Sequence, residues 1–306
     1  MRKLLQRQGI LLACLALLLA AAAARADRLP LWEVEGAHNH VSILGSIHFL
    51  RADAQPLPAS IMAAYERADI LMMEIRLDDI DPQATQAMVQ RLAIDPQGRK
   101  LAQLLGPADH ARATTMAKAI DLDLGLLDDF EPWFAAITIT QLQLAKLGYD
   151  AASGVERQLV RAAQRDGKEI RGLETVQQQL RALDALSPAA QRAFLLETLE
   201  EATTLPEQVE RIISAWQQGD TATLDSEFLD QLRTQPELYR RIVVDRNRDW
   251  ARKLELLLGD RRDYLVVVGT LHLVGEDSLI SLLERAGHKP RQLHEVGPRT
   301  DSNGTD

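Results

Sequence analysis

The sequence predicts an α/β or α+β fold, with a central mixed sheet flanked by helices and a large helical insertion. Apolar runs typical of strands cluster in the first and last thirds of the chain, and helical periodicity fills most of the middle. Residues 264–268 show no polar alternation, which is typical of a strand covered on both faces. Residues from about 176 to 258 are rich in Gln, Leu, Arg and Glu and predict the inserted helical region.

The strands are predicted from short apolar runs bounded by turn residues. These runs are residues 31–35, 41–44, 70–75, 169–173, 264–268 and 291–296. The first two flank a turn-prone stretch, residues 36–39, and should form a hairpin.

The helices are predicted from periodic apolar positions between these strands. They are residues 56–68, 82–105, 108–120, 132–147, 154–166, most of 175–258 and 278–286. Breaks are expected near Pro188, Gly219 and Pro236, and Gly167 is expected to end the helix before it.

The N-terminus has the pattern of a cleaved secretory signal. Arg2, Lys3 and Arg7 precede an apolar run at residues 9–24, and Ala24-Arg25-Ala26 offers a small-x-small cleavage site. We therefore expect a signal peptide at residues 1–26, one domain at 27–297 and a disordered tail at 298–306, in a periplasmic or secreted protein. A lipoprotein signal at Cys14 and a retained membrane anchor are the alternatives. Once the signal is cleaved, we expect no stable membrane span.

Composition excludes several classes of function. Cys14 is the only cysteine, so the mature chain would have neither a disulfide nor a thiolate metal site. With 35 basic and 44 acidic side chains the net charge is −9. Cleavage of the signal would remove four of the basic residues and make the mature chain still more acidic. An acidic chain is poorly suited to binding nucleic acid. The sequence leaves the oligomeric state open.

Two copies of one short motif are the strongest functional signal. Gly45-Ser-Ile-His48 follows one apolar β-branched run, and Gly269-Thr-Leu-His272 follows another. If the two strands are parallel neighbours, both imidazoles lie at the same edge of the sheet, where a metal or acid–base site can form. The alternative is a pair of strand-ending turns whose histidines merely pack.

Two glutamates also follow predicted strands. Glu74 lies at the end of an apolar strand, where an unpaired buried carboxylate is costly and should meet a cation or a metal. The alternative is a carboxylate at a strand end that faces solvent or an arginine such as Arg76. Glu174 has the same position after the next strand, but it also suits the N-terminus of the helix that follows. Glu156 is explained by the N-terminus of a helix in the same way.

Arg246 and Asn247 lie in a helix crowded with charge. Solvated salt bridges are one interpretation of that helix. The functional interpretation is that these two residues clamp an anion or stabilise an oxyanion.

Histidines and carboxylates without cysteine suit a divalent ion such as manganese, cobalt, zinc or iron. Such an ion could activate water and polarise a carbonyl, with Glu174 as the base. The His-Glu-x-x-His protease signature, the Gly-x-Ser-x-Gly elbow and a glycine-rich phosphate loop are all absent from the sequence. We expect the remaining histidines to be ordinary surface or core residues; they are His38, His40, His110, His288 and His294.

The chain resembles the TraB/GumN family, which also includes PrgY and the Tiki proteins. The matching segments are Leu44-Gly-Ser-Ile-His48, Met73-Glu74, Glu131-Pro-Trp133, Gly148-Tyr-Asp150, Gly154-Val-Glu156, Gly167-Lys168, Gly172-Leu-Glu-Thr175, Arg246-Asn247, Trp250 and Val268-Gly-Thr-Leu-His272-Leu-Val-Gly275. They run in order through nearly all of the mature chain. The resemblance implies an α/β fold whose paired Gly-x-x-His motifs face one shared site.

For the Tiki branch, the resemblance also implies a metal-dependent protease that favours manganese or cobalt. Bacterial members are linked by name to exopolysaccharide gene clusters and to pheromone shutdown. The resemblance places His48, Glu74 and His272 at the metal or catalytic positions, and Glu174, Arg246 and Asn247 at supporting ones.

We therefore expect an exported, metal-dependent hydrolase (Mn, Co or Zn) that acts on a peptide bond. One alternative is a non-catalytic protein that binds a peptide or a sugar, with a polysaccharide- or pheromone-related role. Another is an esterase acting on a modified polysaccharide. A small-molecule substrate is also compatible with the sequence.

Overall fold

A computed structural model describes residues 29–293, so the predicted signal peptide and C-terminal tail lie outside the described residues. Its strands form where apolar, β-branched runs meet turn residues. They are β1 Leu31–Glu35, β2 His40–Ser46, β3 Leu50–Arg51, β4 Ile70–Met73, β5 Tyr149–Asp150, β6 Glu169–Gly172, β7 Tyr264–Gly269 and β8 Arg291–Gln292.

The α-helices fill the intervals between strands and most of the second half of the chain. They are α1 Ala59–Arg67, α2 Pro82–Ala93, α3 Leu101–Leu105, α4 Pro107–Ala119, α5 Pro132–Lys146, α6 Val155–Asp166, α7 Val176–Asp184, α8 Pro188–Glu201, α9 Leu205–Gln218, α10 Thr221–Arg233, α11 Pro236–Tyr239, α12 Asp245–Leu258 and α13 Leu279–Arg285. A π-helical segment, Arg240–Val244, joins α11 to α12, and a short 3-10 helix, Thr270–His272, follows β7.

Six strands form one mixed sheet in the order β6-β4-β7-β2-β1-β8. The four strands β6, β4, β7 and β2 run parallel to one another, whereas β1 pairs antiparallel with both β2 and β8. Gly45 lies opposite Val268 and Ser46 lies opposite Gly269, so β2 and β7 end at the same level. The sequence prediction of an α/β fold with a mixed sheet is confirmed. The two motif strands are parallel neighbours, which is the condition for their histidines to share one edge.

The sheet has an apolar core on each face. Leu265 and Val267 pack on the face covered by α1, α6, α9 and α10. Val266 and Val268 pack on the opposite face, against α12 and α13. All six residues of β7 are buried, which explains why its sequence shows no polar alternation.

A separate apolar cluster joins α3, α4, α5 and α8, away from the sheet. The helices from α7 to α12 occupy the stretch for which the sequence predicted a helical region. Gly167 ends α6 in the left-handed conformation, with φ +67°, as the sequence predicted. Within residues 29–293, no helix is long and apolar enough to cross a membrane.

Two predicted elements are wrong in detail. The predicted helix over 82–105 is interrupted between α2 and α3, because Asp95 accepts hydrogen bonds from the backbone N–H groups of Gln97 and Arg99 and Gly98 has φ +69°. The last strand contains Arg291 and Gln292 but does not continue through Leu293, and residues from 294 onward are not described. Strands β3 and β5, two residues each, were not predicted.

Candidate functional site

Four side chains with acid–base chemistry follow the C-terminal ends of the four parallel strands. His48 lies two residues after β2, Glu74 directly after β4, Glu174 two residues after β6, and His272 three residues after β7. Because parallel strands end at one edge of a sheet, residues far apart in sequence meet there. The described structure thus brings together all four of these predicted site residues.

His272 is buried, with 1% of its surface exposed, and its ring orientation is set by α12. Its Nδ1 lies 2.7 Å from Oδ1 of Asn247, whose amide donates to the backbone oxygens of His272 and Asp277. Because the Asn247 oxygen can only accept, Nδ1 of His272 carries the proton and Nε2 keeps its lone pair. The ring also contacts Trp250, with 4.6 Å between the ring centroids. Burial, reinforced by the nearby Arg246 charge, lowers the pKa of His272 to about 3, so this imidazole is neutral at neutral pH.

His48 carries the same motif but has a different environment. Its side chain is 53% exposed, and its Nδ1 lies 2.6 Å from Oε1 of Glu156 in the first turn of α6. Ser46 also donates to that carboxylate. The Glu156 carboxylate raises the pKa of His48 to about 9, which favours the imidazolium.

Gly154 allows Glu156 to reach His48. A Cβ on Gly154 would overlap the backbone oxygen of His48, so only glycine lets the start of α6 approach so closely. The backbone N–H of Val155 then donates to Ile47 O at 3.1 Å.

Glu74 lies between the two histidines. Its Oε1 accepts from the backbone N–H of Gly269 at 2.6 Å and lies 4.0 Å from His272 Nε2. Its Oε2 accepts from Arg246 at 2.6 Å and from Gln179 at 2.9 Å. Burial by itself raises the pKa of Glu74, but the positive charge of Arg246 and other favourable contacts outweigh it and lower the pKa to about 2. Glu74 is therefore a paired carboxylate, as its position after an apolar strand predicted.

Arg246 connects the site residues from α12. Its Nε and Nη2 donate to Glu174, Nη2 also donates to Glu74, and Nη1 contacts Nε2 of His272 at 3.0 Å. The second Nη1 hydrogen goes to the backbone oxygen of Ile242. A guanidinium has five N–H donors, and in this arrangement all five are used.

Glu174 is held against Arg246 and is nearly buried, with 6% of its side chain exposed. Its backbone N–H donates to Glu74 O at 2.8 Å, which continues the pairing of β6 with β4 beyond the strand ends. Burial raises the pKa of Glu174, although the Arg246 charge opposes the increase. The carboxylate therefore takes up a proton more readily than an exposed glutamate.

The donor atoms suit a divalent ion. Both Nδ1 atoms have acceptors, which is how proteins orient metal-binding histidines through their outer contacts. A Cβ on Gly269 would lie 3.2 Å from His48 Nε2 and 3.3 Å from Glu74 Oε1, so both donors border the space above this glycine. Donors on one ion at bond lengths of about 2.0–2.2 Å lie roughly 3–4 Å apart, and His272 Nε2 and Glu74 Oε1 meet this spacing.

One contact opposes that fit. Arg246 Nη1 lies where an ion would meet the lone pair of His272 Nε2. In residues 29–293, no three His, Asp, Glu or Cys side chains stand as a ready-made metal-binding group. The residues fit an ion by chemistry and orientation, provided that Arg246 moves away from His272.

A cavity of about 280 Å³ opens beside this cluster. His48, Glu74, Glu156 and Gln179 form part of its polar lining. The half-exposed His48 lines this cavity, whereas His272 and Arg246 are not among its lining residues.

Three residues of this hydrogen-bond network were not predicted to belong to the site. Glu156 was attributed to a helix N-terminus, and Ser46 and Gln179 were not singled out. The signal for Glu156 was Gly154, because a glycine directly before a helix permits close backbone approach. For Gln179, in a helix without a fully buried residue, the sequence offered no signal.

Comparisons with known proteins find similarity over most of the chain. A model of the TraB/PrgY/gumN family matches residues 30–292. The chain is 27% identical over 250 residues to the uncharacterized protein YbaP of Escherichia coli K12, covering 80% of this chain and 88% of YbaP. It is 22% identical over 267 residues to an uncharacterized protein of Treponema pallidum, covering 83% and 80% of the two chains. No solved structure gives a significant match.

Proposed function

The chain belongs to the TraB/PrgY/gumN family, and on that premise we propose that it is an exported, metal-dependent hydrolase acting on peptide bonds. One observation carries the proposal. Two imidazoles and a carboxylate meet at the C-terminal edge of three neighbouring parallel strands, and the Nδ1 of each ring has its own acceptor. That arrangement directs the two Nε2 atoms towards an ion, which would bind after His48 loses its extra proton and Arg246 moves away from His272.

His48, Glu74 and His272 are the residues that would hold the ion. Manganese, cobalt and zinc all accept this mixture of nitrogen and oxygen donors. When bound, such an ion lowers the pKa of a coordinated water and polarises a carbonyl group.

The surrounding residues orient these donors. Asn247 fixes the tautomer of His272, and Glu156 fixes the ring of His48. Asn247 has no amide hydrogen to spare for a substrate oxygen, because both amide hydrogens go to backbone oxygens. Asn247 therefore positions the ring of His272 and does not contact an oxyanion.

Arg246 holds Glu74 and Glu174 in place and, with all its hydrogens used, also acts by positioning. Glu174 is the proton acceptor in this proposal, because its raised pKa brings it closer to the range useful for proton transfer. Substrate enters through the cavity beside His48, where half of the imidazole is exposed.

Metal binding and cleavage can be tested separately. Purified protein loaded with Mn²⁺, Co²⁺ or Zn²⁺ should retain about one ion per chain after desalting, by mass-spectrometric metal analysis. The His48→Ala/His272→Ala variant should retain none. A His38→Ala/His288→Ala variant is the matched control, because it also removes two histidines but leaves the cluster intact. Equal metal content in the two double variants would remove the proposed site.

Cleavage is measured with a peptide library and mass spectrometry. Products should form with the metal-loaded protein and disappear with Glu74→Gln. Absence of products from folded, metal-loaded protein would contradict the hydrolase.

A non-catalytic peptide- or sugar-binding protein is the second candidate function. The contact of Arg246 with His272 Nε2 favours it, because that contact fills a ligand position with a cation from the protein itself. Ligand retained intact by protein that binds no metal would support this function over hydrolysis.

A further inference from the structure

We propose that the cavity beside His48 selects a ligand that has a carboxylate next to an apolar side chain, and that Arg157 binds the carboxylate. The inference rests on the proposed function only in treating this cavity as the place where substrate binds. It adds the chemical class of group that the cavity recognises.

The cavity wall is largely apolar. Its apolar lining comes from the segment between β2 and β3, from the end of β4 and the segment after it, and from the 3-10 helix Ala151–Ser153 before α6. These residues are Phe49, Met73, Ile75, Leu77 and Ala151. Phe49, Ile75 and Leu77 are only partly buried, so they present apolar surface to the opening. At about 280 Å³ the cavity lies at the low end of small-molecule sites and suits a group the size of one or two residues.

Arg157 supplies a guanidinium on this wall that is free to meet a ligand. It is exposed, it lines the cavity, and it directly follows Glu156 in the first turn of α6. Among residues 29–293, no ion pair or hydrogen bond engages its guanidinium. An arginine fork presents two parallel N–H donors to a carboxylate, a geometry that an ammonium cannot match.

The acidic residues of the same wall do not compete for Arg157. Glu74 is held by Arg246, Gln179 and the backbone of Gly269, and Glu156 is held by His48 and Ser46. Both carboxylates are satisfied within the cluster. An apolar surface with one unpaired guanidinium therefore matches an apolar side chain with a neighbouring carboxylate.

The carboxylate can come from a peptide C-terminus or from an acidic side chain. Acetyl-Ala-Leu has a free terminal carboxylate, acetyl-Ala-Leu-amide has none, and acetyl-Asp-Leu-amide has only the side-chain carboxylate. Comparison of the three dissociation constants by calorimetry identifies the source. Acetyl-Ala-Gly, which lacks the apolar side chain, tests the apolar wall.

We expect at least one carboxylate-bearing leucine peptide to bind about tenfold more tightly than acetyl-Ala-Leu-amide, since a charge-assisted hydrogen bond contributes on this scale. Arg157→Ala should abolish that preference. Arg165→Ala, which removes an exposed arginine from the last turn of the same helix, should retain it. Replacing leucine by glycine should weaken binding in every variant that keeps the apolar wall.

Equal affinity for the acid and the amide, absence of binding by either, or a preference that survives Arg157→Ala would overturn the inference. The peptides are checked for integrity by mass spectrometry, so binding and cleavage are scored independently. A carboxylate preference without any cleavage would support carboxylate recognition by Arg157 and would count against the proposed hydrolase activity. Cleavage of library peptides without a carboxylate preference would overturn only the proposal that Arg157 binds a carboxylate.

Discussion

The two Gly-x-x-His motifs share a local sequence and a position at a strand end, yet they hold their histidines in opposite states. His48 is half exposed and has a carboxylate partner, which raises its pKa to about 9. His272 is buried and has an amide partner, and its pKa falls to about 3. The motif therefore places each imidazole at the end of its strand. The protonation state of that imidazole depends on its partner, which comes from α6 for His48 and from α12 for His272.

The stability of the protein should depend strongly on the partner of His272 and weakly on the partner of His48. His272 and Asn247 are buried, so their side-chain polar atoms have to be paired inside the protein. Around His48 water can replace a missing partner, because half of the side chain is exposed. The predictions that follow test this asymmetry in metal-free, chelator-treated protein.

Replacing the partners by leucine should give the largest difference in stability. Asn247→Leu leaves the buried His272 Nδ1 unpaired and removes a donor from the backbone oxygens of His272 and Asp277. It should lower the free energy of unfolding by about 3 kcal/mol. Glu156→Leu should cost less than Asn247→Leu, because half of the His48 side chain is exposed and water can replace the missing partner. Urea denaturation measures both, and equal losses would remove the proposed asymmetry.

The pH dependence of stability should differ next. Unfolded chains bind a proton at His272 near pH 6.5, but the folded protein does so only near pH 3, so this residue lowers stability as pH falls between these values. From pH 7 to 5, His272→Gln should therefore lose about 1–2 kcal/mol less stability than the unsubstituted protein. If the variant and the unsubstituted protein lost the same stability between pH 7 and 5, the pKa of His272 would not be lowered by folding.

His48 should act in the opposite direction and in another pH window. Its raised pKa means that the folded protein holds the proton more firmly, so its contribution is complete below pH 6.5 and disappears as pH rises through about 9. His48→Gln should reduce the loss of stability between pH 7 and 9 and leave the acid side unchanged. Denaturation curves at pH 5, 7 and 9 separate the two histidines.

Titration of the His48 ring should respond to Glu156. Glu156→Gln keeps the shape of the partner but removes its charge, and should lower the pKa of His48 from about 9 towards 6.5. Histidine ring signals in a heteronuclear NMR titration report this value. A pKa that stays near 9 would assign the shift to another group.

The motif hydroxyls should have the smallest effects, and here the motifs should behave alike. Thr270 Oγ1 donates to Ser46 O at 2.9 Å, and Ser46 Oγ contacts the backbone oxygen of Val268 at 3.0 Å. Thr270→Val and Ser46→Ala should each lower the free energy of unfolding by about 1 kcal/mol. Thermal unfolding measures both losses. A loss several times larger in one variant than in the other would contradict this symmetry.

Much of the sheet and part of the site could be predicted from local patterns. The unbroken apolar run of β7 predicted a strand buried on both faces, and the turn at residues 36–39 predicted the β1–β2 hairpin. Glu74 was expected to meet a cation because it follows an apolar strand, and Arg246 is that cation. Glu156 could not be assigned to His48, since its position at a helix start explains a carboxylate equally well.

The sequence by itself determined which residues stand at strand ends, because hydrophobic periodicity and glycine turns act over a few neighbouring positions. Only the tertiary structure decided that β7 lies between β2 and β4, which brings His48, Glu74 and His272 to one edge. It also decided that Asn247 and Glu156 contact different rings. Burial and partner charge set a protonation state, and both depend on segments that are distant along the chain.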